Sequence, residues 1–278
     1  MIIWIASYPK SGNTYVRSFL SSYYYSKKGK FDFELLLNIK QFPALKYSSK
    51  KAYTFIDAAK NWIPNQNNFF KKDQYYFLKT HNSLEEYFGN KFTTSSETIG
   101  GIYIVRDPRN VISSMCNHYA LDLNKAYAKM IDINSSLSFK LADEDYSNFT
   151  FLGKWSNHYW SWKNNMNFKT IIIKYEDLRD NTFEEFRKII NFIEDLKGTN
   201  NEINEEKLEN SINSTSFSKL KNKEKMNGFG ESTVSKDGKP INFFNLGFKN
   251  QWENLLPKEM SDKIKNEFIN ELKDLEYE

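Results

Sequence analysis

The chain has 278 residues, of which 40% are hydrophobic and 17% aromatic, and its formal net charge at pH 7 is +4. This length suits one large α/β domain with a sizeable core, and so weak a charge argues against a nucleic-acid-binding protein. One cysteine excludes an intrachain disulfide, and no apolar run approaches the length of a membrane span. The sequence therefore predicts a single domain over residues 1–278 that is cytoplasmic and has no membrane partner. It leaves a homodimer open.

The first predicted element is a buried strand, followed by a polar loop and a helix. Residues 2–6 are a short apolar run, residues 8–13 are a polar turn, and residues 14–24 carry apolar side chains at helical spacing. Backbone N–H groups at a helix start favour an anion. The loop adds a cation, a glycine and short donors: Lys10, Ser11, Gly12, Asn13 and Thr14. A Walker loop places its lysine after a second glycine, so this loop predicts phosphate or sulfate binding of another kind.

The loop Tyr-Pro-Lys-Ser-Gly-Asn-Thr at residues 8–14 resembles the 5′-phosphosulfate loop of sulfotransferases that use 3′-phosphoadenosine 5′-phosphosulfate (PAPS). The resemblance implies a mainly parallel central sheet flanked by helices, in a P-loop-like α/β architecture. It also implies that Lys10 neutralises charge on the departing nucleotide, and that Thr14 and the amides near Gly12 hold the 5′-phosphate. The alternative interpretation is a buried strand and a polar turn, with Lys10 as a solvated charge.

The next predicted strand, residues 75–78, leads into Lys79-Thr80-His81. This sequence resembles the catalytic-base element of the same family, which implies catalytic roles for Lys79 and His81, with His81 taking the proton of the acceptor. A lone histidine is more often structural, so His81 as a packing residue is the alternative. His118 is then the second candidate for the base.

Residues 102–105 form a further β-branched strand, and Asp107 and Pro108 fit the N-cap and first turn of a helix. Arg106 stands at the strand end, where open α/β sheets place ligand contacts. The resemblance implies that Arg106, with Ser114 eight residues later, grips the 3′-phosphate. The alternative is a surface Arg–Asp pair at the helix cap.

Three later segments resemble the nucleotide-binding elements of the family in the same order. Tyr175, after a strand at residues 170–174, would support the adenine-nucleotide pocket, although a strand followed by an acidic helix cap explains it as well. The segment 214–217 implies that Thr215 and Phe217 hold the adenine. The closing loop 245–252 keeps Gly247, but Asn245 and Leu246 replace the usual Arg and Lys, and Lys249 offers a substitute charge.

The rest of the chain predicts supporting structure. We expect short helices within residues 33–63, a polar loop at 134–148, helices from Thr182 and Asn204, and an amphipathic closing helix at 257–275. Residues 226–246 are rich in glycine and polar side chains, which predicts a lid over the cofactor.

The sequence thus predicts an enzyme that moves a sulfuryl group from PAPS, by in-line transfer, to a hydroxyl or amine, leaving 3′-phosphoadenosine 5′-phosphate (PAP). We expect no metal requirement, and the acceptor is an unidentified small molecule or glycan. Two alternatives stand beside it: a non-catalytic nucleotide-binding module, and an ATP-dependent small-molecule kinase. Glu176 and Asp177 would be the kinase's candidates for a Mg²⁺ site.

Overall fold

The computed structural model describes residues 1–138, 144–199, 201–234, 238 and 240–278. The strands are Ile2–Ser7 (β1), Lys40–Gln41 (β2), Tyr76–Thr80 (β3), Thr98–Val105 (β4), Ser136–Leu137 (β5), Thr150–Phe151 (β6), Lys169–Lys174 (β7), Thr233–Val234 (β8) and Pro240–Ile241 (β9). The α-helices are Asn13–Tyr25 (α1), Phe55–Lys60 (α2), Trp62–Phe69 (α3), Pro108–Tyr119 (α4), Leu123–Ile131 (α5), Trp155–Lys163 (α6), Tyr175–Asp180 (α7), Thr182–Lys197 (α8), Glu205–Ser214 (α9), Phe217–Asn227 (α10), Trp252–Leu255 (α11), Lys258–Glu267 (α12) and Ile269–Asp274 (α13). Short 3₁₀ helices cover Phe33–Asn38, Leu45–Tyr47 and Gly247–Lys249.

The centre of the fold is a five-stranded sheet in the order β2-β3-β1-β4-β7. Every neighbouring pair in it is parallel, and β1 lies in the middle between β3 and β4. Parallel neighbours bring their carboxyl ends to one edge, so the loops that follow these strands meet there. The predicted mainly parallel α/β sheet is confirmed.

Helices cover both faces of the sheet, because side chains alternate along β1. Ile2, Trp4 and Ala6 join the larger apolar core, which the closing helices also enter. Ile3 and Ile5 join the core on the opposite face, against α1, α8 and α9. A strand that is buried on both faces has a continuous run of apolar residues, and this run predicts β1 from the sequence.

Two predictions of local structure need correction. The closing helix is two helices, α12 and α13, separated at Phe268, whose fully buried ring packs on Trp155 at 5.0 Å between centroids. The region 33–63 contains the expected short helices, but also the edge strand β2, which pairs with β3.

The expected loops at 134–148 and 226–246 fall partly outside the described residues. Their described parts form two short antiparallel pairs, β5 with β6 and β8 with β9. Among the helices that the structure describes, none has both the length and the hydrophobicity to cross a bilayer.

Candidate active site

The carboxyl ends of the parallel strands open onto a cavity of about 410 Å³. Residues that follow β1, β3, β4 and β7 lie in its wall: Lys10, His81, Arg106 and Tyr175. Segments distant in sequence complete the wall, namely α4, the start of α10, and residues 230–233 and 243–248. Four separate predicted segments therefore meet at one place.

The loop between β1 and α1 presents a helix N-terminus to this cavity. Gly12 is the N-cap with φ 101°, and no side chain of the described residues caps the helix, so its first N–H groups are available to an anion. A Cβ at position 12 would lie 2.3 Å from Cδ2 of Tyr175, so both the backbone conformation and the space require glycine. Asn13 ties the loop to β1 by donating to the carbonyl of Ile5 (3.0 Å) and to Ser7 Oγ (3.3 Å).

Lys10 is held in the left-handed region, with φ 70°, and its ammonium lies 4.1 Å from the ring centroid of Phe243. Burial, together with the charge of Lys79, lowers the pKa of Lys10 to about 7. A cation so poorly solvated gains from an anionic ligand, which would raise its pKa again. The loop therefore carries a cation suited to a doubly charged phosphate group.

Arg106 is directed at the phosphate loop and not at the neighbouring carboxylate. Its guanidinium lies over the ring of Tyr175, at 4.4 Å from the centroid, and Nη1 donates to the carbonyl of Lys10 at 3.4 Å. Its Nε has no partner among the described residues. Asp107 pairs instead with Arg109, whose Nη2 lies 2.7 Å from Oδ2. The Arg–Asp cap pair considered as the alternative for Arg106 is made by Arg109, so Arg106 keeps donors for a ligand. Ser114 lines the same cavity from α4.

His81 has a fixed tautomer. Its Nδ1 lies 2.7 Å from the carbonyl oxygen of Ser7, which can only accept, so Nδ1 carries the proton and Nε2 keeps its lone pair. Burial, with the charge of Lys79, lowers the pKa of His81 to about 3, so the ring is neutral at pH 7. Its backbone carbonyl is bonded in turn to Nε2 of the buried His158, at 3.0 Å. A neutral, oriented imidazole whose Nε2 keeps its lone pair can accept a proton, as a general base must.

His118 also lines the cavity, from α4. Burial and the charge of Lys10 lower its pKa to about 4, and its Nδ1 has no partner among the described residues. The structure therefore brings both candidate bases to the site. His81 differs in being oriented by a hydrogen bond to β1.

Three aromatic rings, tilted by 40° and 45° to one another, line the cavity beside Arg106. Phe248 lies 5.5 Å from Tyr175 and 6.4 Å from Phe217 between ring centroids. Gly247 brings the chain close, since a Cβ there would lie 2.5 Å from Cε2 of Phe217. These rings offer the cavity an apolar aromatic surface against which a planar base can pack.

Three residues predicted to bind the cofactor are not in the cavity wall: Ser11, Thr215 and Lys249. Ser11 is buried in the loop, and its Oγ has no partner within the described residues. Thr215 ends α9, and its hydroxyl donates to the carbonyl of Ser211 at 2.7 Å. Lys249 is exposed at the end of the short 3₁₀ helix. The structure brings neither the Thr215 hydroxyl nor the Lys249 charge to the cavity.

The described parts of the predicted lid are anchored over the cavity by one buried carboxylate. Glu224 accepts from the backbone N–H groups of Phe243 (2.6 Å) and Phe244 (2.9 Å) and from Ser232 Oγ (2.5 Å). Both arms of the segment are thereby fixed to α10, and Phe243 is placed against Lys10.

Arg17 and Glu231 are charged residues in or beside the cavity that belong to none of the sequence motifs. Arg17 lies one turn beyond Thr14 on α1, and this spacing places the two on one face of the helix. Glu231 comes from the lid segment, 217 residues away from Thr14, and bonds to both of them. The spacing was a signal for Arg17, whereas no local pattern points to Glu231.

Residues 2–276 match the family model of the sulfotransferase domain. The chain therefore belongs to the sulfotransferase family, as the six sequence elements predict, and the predicted class of enzyme is confirmed.

Solved structures show the same fold. Mouse sulfotransferase SULT7A1, complexed with PAP, aligns with a TM-score of 0.54 and 18% identity, over 98% of this chain and 83% of that one. Retinol dehydratase, in complex with androsterone and inactive cofactor PAP, aligns with a TM-score of 0.59 and 17% identity, over 98% of this chain and 81% of that one. The complex of retinol dehydratase with retinol and PAP aligns equally well, with a TM-score of 0.59. At sequence identities of 17% and 18%, the similarity to these solved structures supports the fold alone.

Proposed function

We propose that this protein transfers a sulfuryl group from PAPS to a hydroxyl or amine of a small-molecule acceptor, and that residues 1–278 act as one sulfotransferase domain. The observation that carries the proposal is the meeting of an anion-binding helix start, Lys10, Arg106 and an oriented neutral His81 in one cavity.

The chemistry of the wall fits an adenine nucleotide with phosphates at both ends. The unpartnered Nε of Arg106 and the open N-terminus of α1 are donors that the described protein leaves for anions. Arg106 and Ser114 would hold the 3′-phosphate, and Gly12 and Thr14 the 5′-phosphate. The aromatic surface of Tyr175, Phe217 and Phe248 would pack against the adenine.

His81 and Lys10 then share the work of transfer. PAPS supplies a sulfuryl group on a good leaving group. His81 Nε2 takes the proton of the acceptor hydroxyl, while the acceptor oxygen forms its bond to sulfur and the bond from sulfur to the phosphate oxygen breaks. Lys10 neutralises the negative charge that the phosphate oxygen gains when it keeps the electron pair of the broken bond. Positioning and charge stabilisation of this kind commonly supply about two to three powers of ten in rate per donor.

The kinase alternative loses its sequence candidates. Glu176 is half-buried and accepts from the hydroxyl of Tyr277 at 2.5 Å, and Asp177 faces Lys174 at 3.8 Å. Neither carboxylate lies in the cavity wall.

The test combines nucleotide binding with transfer. Thermal stabilisation by PAP without Mg²⁺ should exceed that by ATP, and sulfate from radiolabelled PAPS should reach at least one member of a panel of phenols, alcohols and amines. His81→Asn should abolish transfer and leave PAP binding intact, because an amide cannot take the proton, whereas His118→Asn should keep transfer. Stabilisation by ATP with Mg²⁺ alone would contradict the proposal. PAP binding without transfer to any acceptor would favour the non-catalytic module.

A further inference from the structure

A carboxylate of the chain itself is bound at the start of α1. Glu231 Oε2 accepts from Thr14 Oγ1 at 3.1 Å and lies 3.3 Å from Lys79 Nζ, while Oε1 lies 2.6 Å from Nη1 of Arg17. Although burial opposes ionisation, the charges of Lys79 and Arg17 hold the pKa of Glu231 well below its usual range. Three donors from α1 and β3 thus surround one carboxylate.

These donors are the ones that an anionic ligand at this helix start would use. A threonine hydroxyl has a single proton, and that of Thr14 is directed to Glu231. Thr14 therefore cannot donate to Glu231 and to the phosphate of a nucleotide at the same time. Glu231 lines the cavity, whereas Arg17 lies behind Glu231 and is not part of the cavity wall.

The two cations cannot lose this carboxylate without a replacement. The side chains of Arg17 and Lys79 are only 6% and 8% exposed, and leaving a buried charge unpaired is strongly unfavourable. Arg17 has one other bond, from Nη2 to the carbonyl of Ile39 at 3.3 Å, and its Nε has no partner in the described part of the chain. An anion that displaces Glu231 must take over both cations.

We propose that Arg17 is a further cationic ligand for the 5′-phosphosulfate of the donor, and that Glu231 is an internal anion which the donor displaces from Thr14, Arg17 and Lys79. This proposal rests on the proposed function. Only the residues just before Ser232 need to move when the donor displaces Glu231, because Glu224 holds the lid in place at Ser232 and at residues 243–244. Gly228 and Gly230 precede Glu231 and give the segment the backbone freedom for it.

The experiment measures affinity by calorimetry for two probes, PAP and adenosine 3′-monophosphate, which lacks the 5′-phosphate. Glu231→Gln and Glu231→Ala remove the competing charge, so each should bind PAP about tenfold more tightly or better. Arg17→Gln should bind PAP about tenfold more weakly, because it loses a charged hydrogen bond to the 5′-phosphate. Neither change should alter the affinity for adenosine 3′-monophosphate. The exposed ion pair of Arg187 and Glu205, neither of which lines the cavity, gives the matched controls Arg187→Gln and Glu205→Gln.

The outcomes separate this inference from the function on which it rests. If the wild type binds PAP and the Glu231 and Arg17 variants bind it equally well, Arg17 and Glu231 have no part in donor binding, while the proposed function stands. Weaker PAP binding by both Glu231 variants would show that Glu231 supports the donor, and would overturn the displacement. Equal loss of both probes in Arg17→Gln would show a structural role only. Absence of PAP binding in the wild type and in every variant would overturn both proposals. Circular dichroism and melting temperature establish that each variant is folded.

Discussion

The charge of Lys10 should set the alkaline limit of the reaction. Its pKa is lowered to about 7 by burial and by Lys79, against an ordinary value of 10.5. Lys10 must be protonated to neutralise the departing oxygen, so activity is present below this pKa and is lost as the pH rises through it. With half of the enzyme charged at the pKa and about a tenth one unit above it, kcat/KM for PAPS should fall about tenfold per pH unit beyond about pH 7.

No acid limb is expected near pH 6.5, because burial lowers the pKa of His81 to about 3 and the base is already neutral there. The sequence alone, with an unperturbed histidine, would predict a rise through pH 6.5. The structure replaces that expectation with a plateau between the two pKa values.

Two substitutions test the origin of the alkaline limb. Lys10→Gln should lower kcat by about two to three powers of ten, because the charge is needed mainly in the transition state. Lys10→Arg keeps its charge over the whole range and should lose the alkaline limb, whatever its absolute rate. The assay is the initial rate against pH at PAPS concentrations well below KM, with an alcohol acceptor, and Lys258→Gln, at an exposed ion pair, is the control. An unchanged alkaline limb in Lys10→Arg would refute the reasoning, as would a wild-type kcat/KM for PAPS that is flat to pH 9.

Three further predictions follow from the same geometry. Arg106→Gln should weaken PAP binding about tenfold and leave binding of adenosine 5′-monophosphate unchanged, because only a contact to the 3′-phosphate is lost; an unchanged ratio of the two affinities in calorimetry would contradict this. His158 is fully buried, between the hydroxyl of Tyr103 (2.9 Å) and the carbonyl of His81 (3.0 Å), and burial lowers its pKa to about 4. Its contribution to stability is complete above the unfolded value near 6.5 and is lost as the pH falls towards about 4, at about 1.4 kcal/mol per unit. Melting curves of the wild type should show that loss, and those of His158→Gln should show less of it. Transfer should continue at the same rate in excess EDTA, and a rate that only Mg²⁺ restores would favour the kinase.

The cytoplasmic location, the homodimer and the nature of the acceptor stay predictions. The acceptor would enter beside His81, where Tyr119, Leu137 and Phe243 line the same cavity. The transfer assay with the panel of phenols, alcohols and amines identifies the acceptor class.

The sequence by itself determined those strands, loops and helices whose pattern lies within a few neighbouring residues. Strand β1, its glycine-containing loop and α1 are legible because burial on both faces, a polar turn and helical spacing each leave a pattern within a few residues. The same holds for Asp107 as the N-cap of α4, since its side chain accepts from the backbone of Arg109. The order of such pieces was enough to predict the family, and hence the sheet that assembles them.

Only the tertiary structure decided which side chains meet. Arg109 and not Arg106 takes Asp107, because the side chain of Arg106 leaves the strand end towards Lys10 and Tyr175. Thr215 and Lys249 match motifs of the family. The Thr215 hydroxyl, however, is bonded to the carbonyl of Ser211, and the Lys249 side chain is exposed. Glu231 reaches Thr14 and Lys79 from the other end of the chain. Such a contact depends on the path of a long connection and on the charge balance of a buried site, and neither leaves a pattern in the neighbouring sequence.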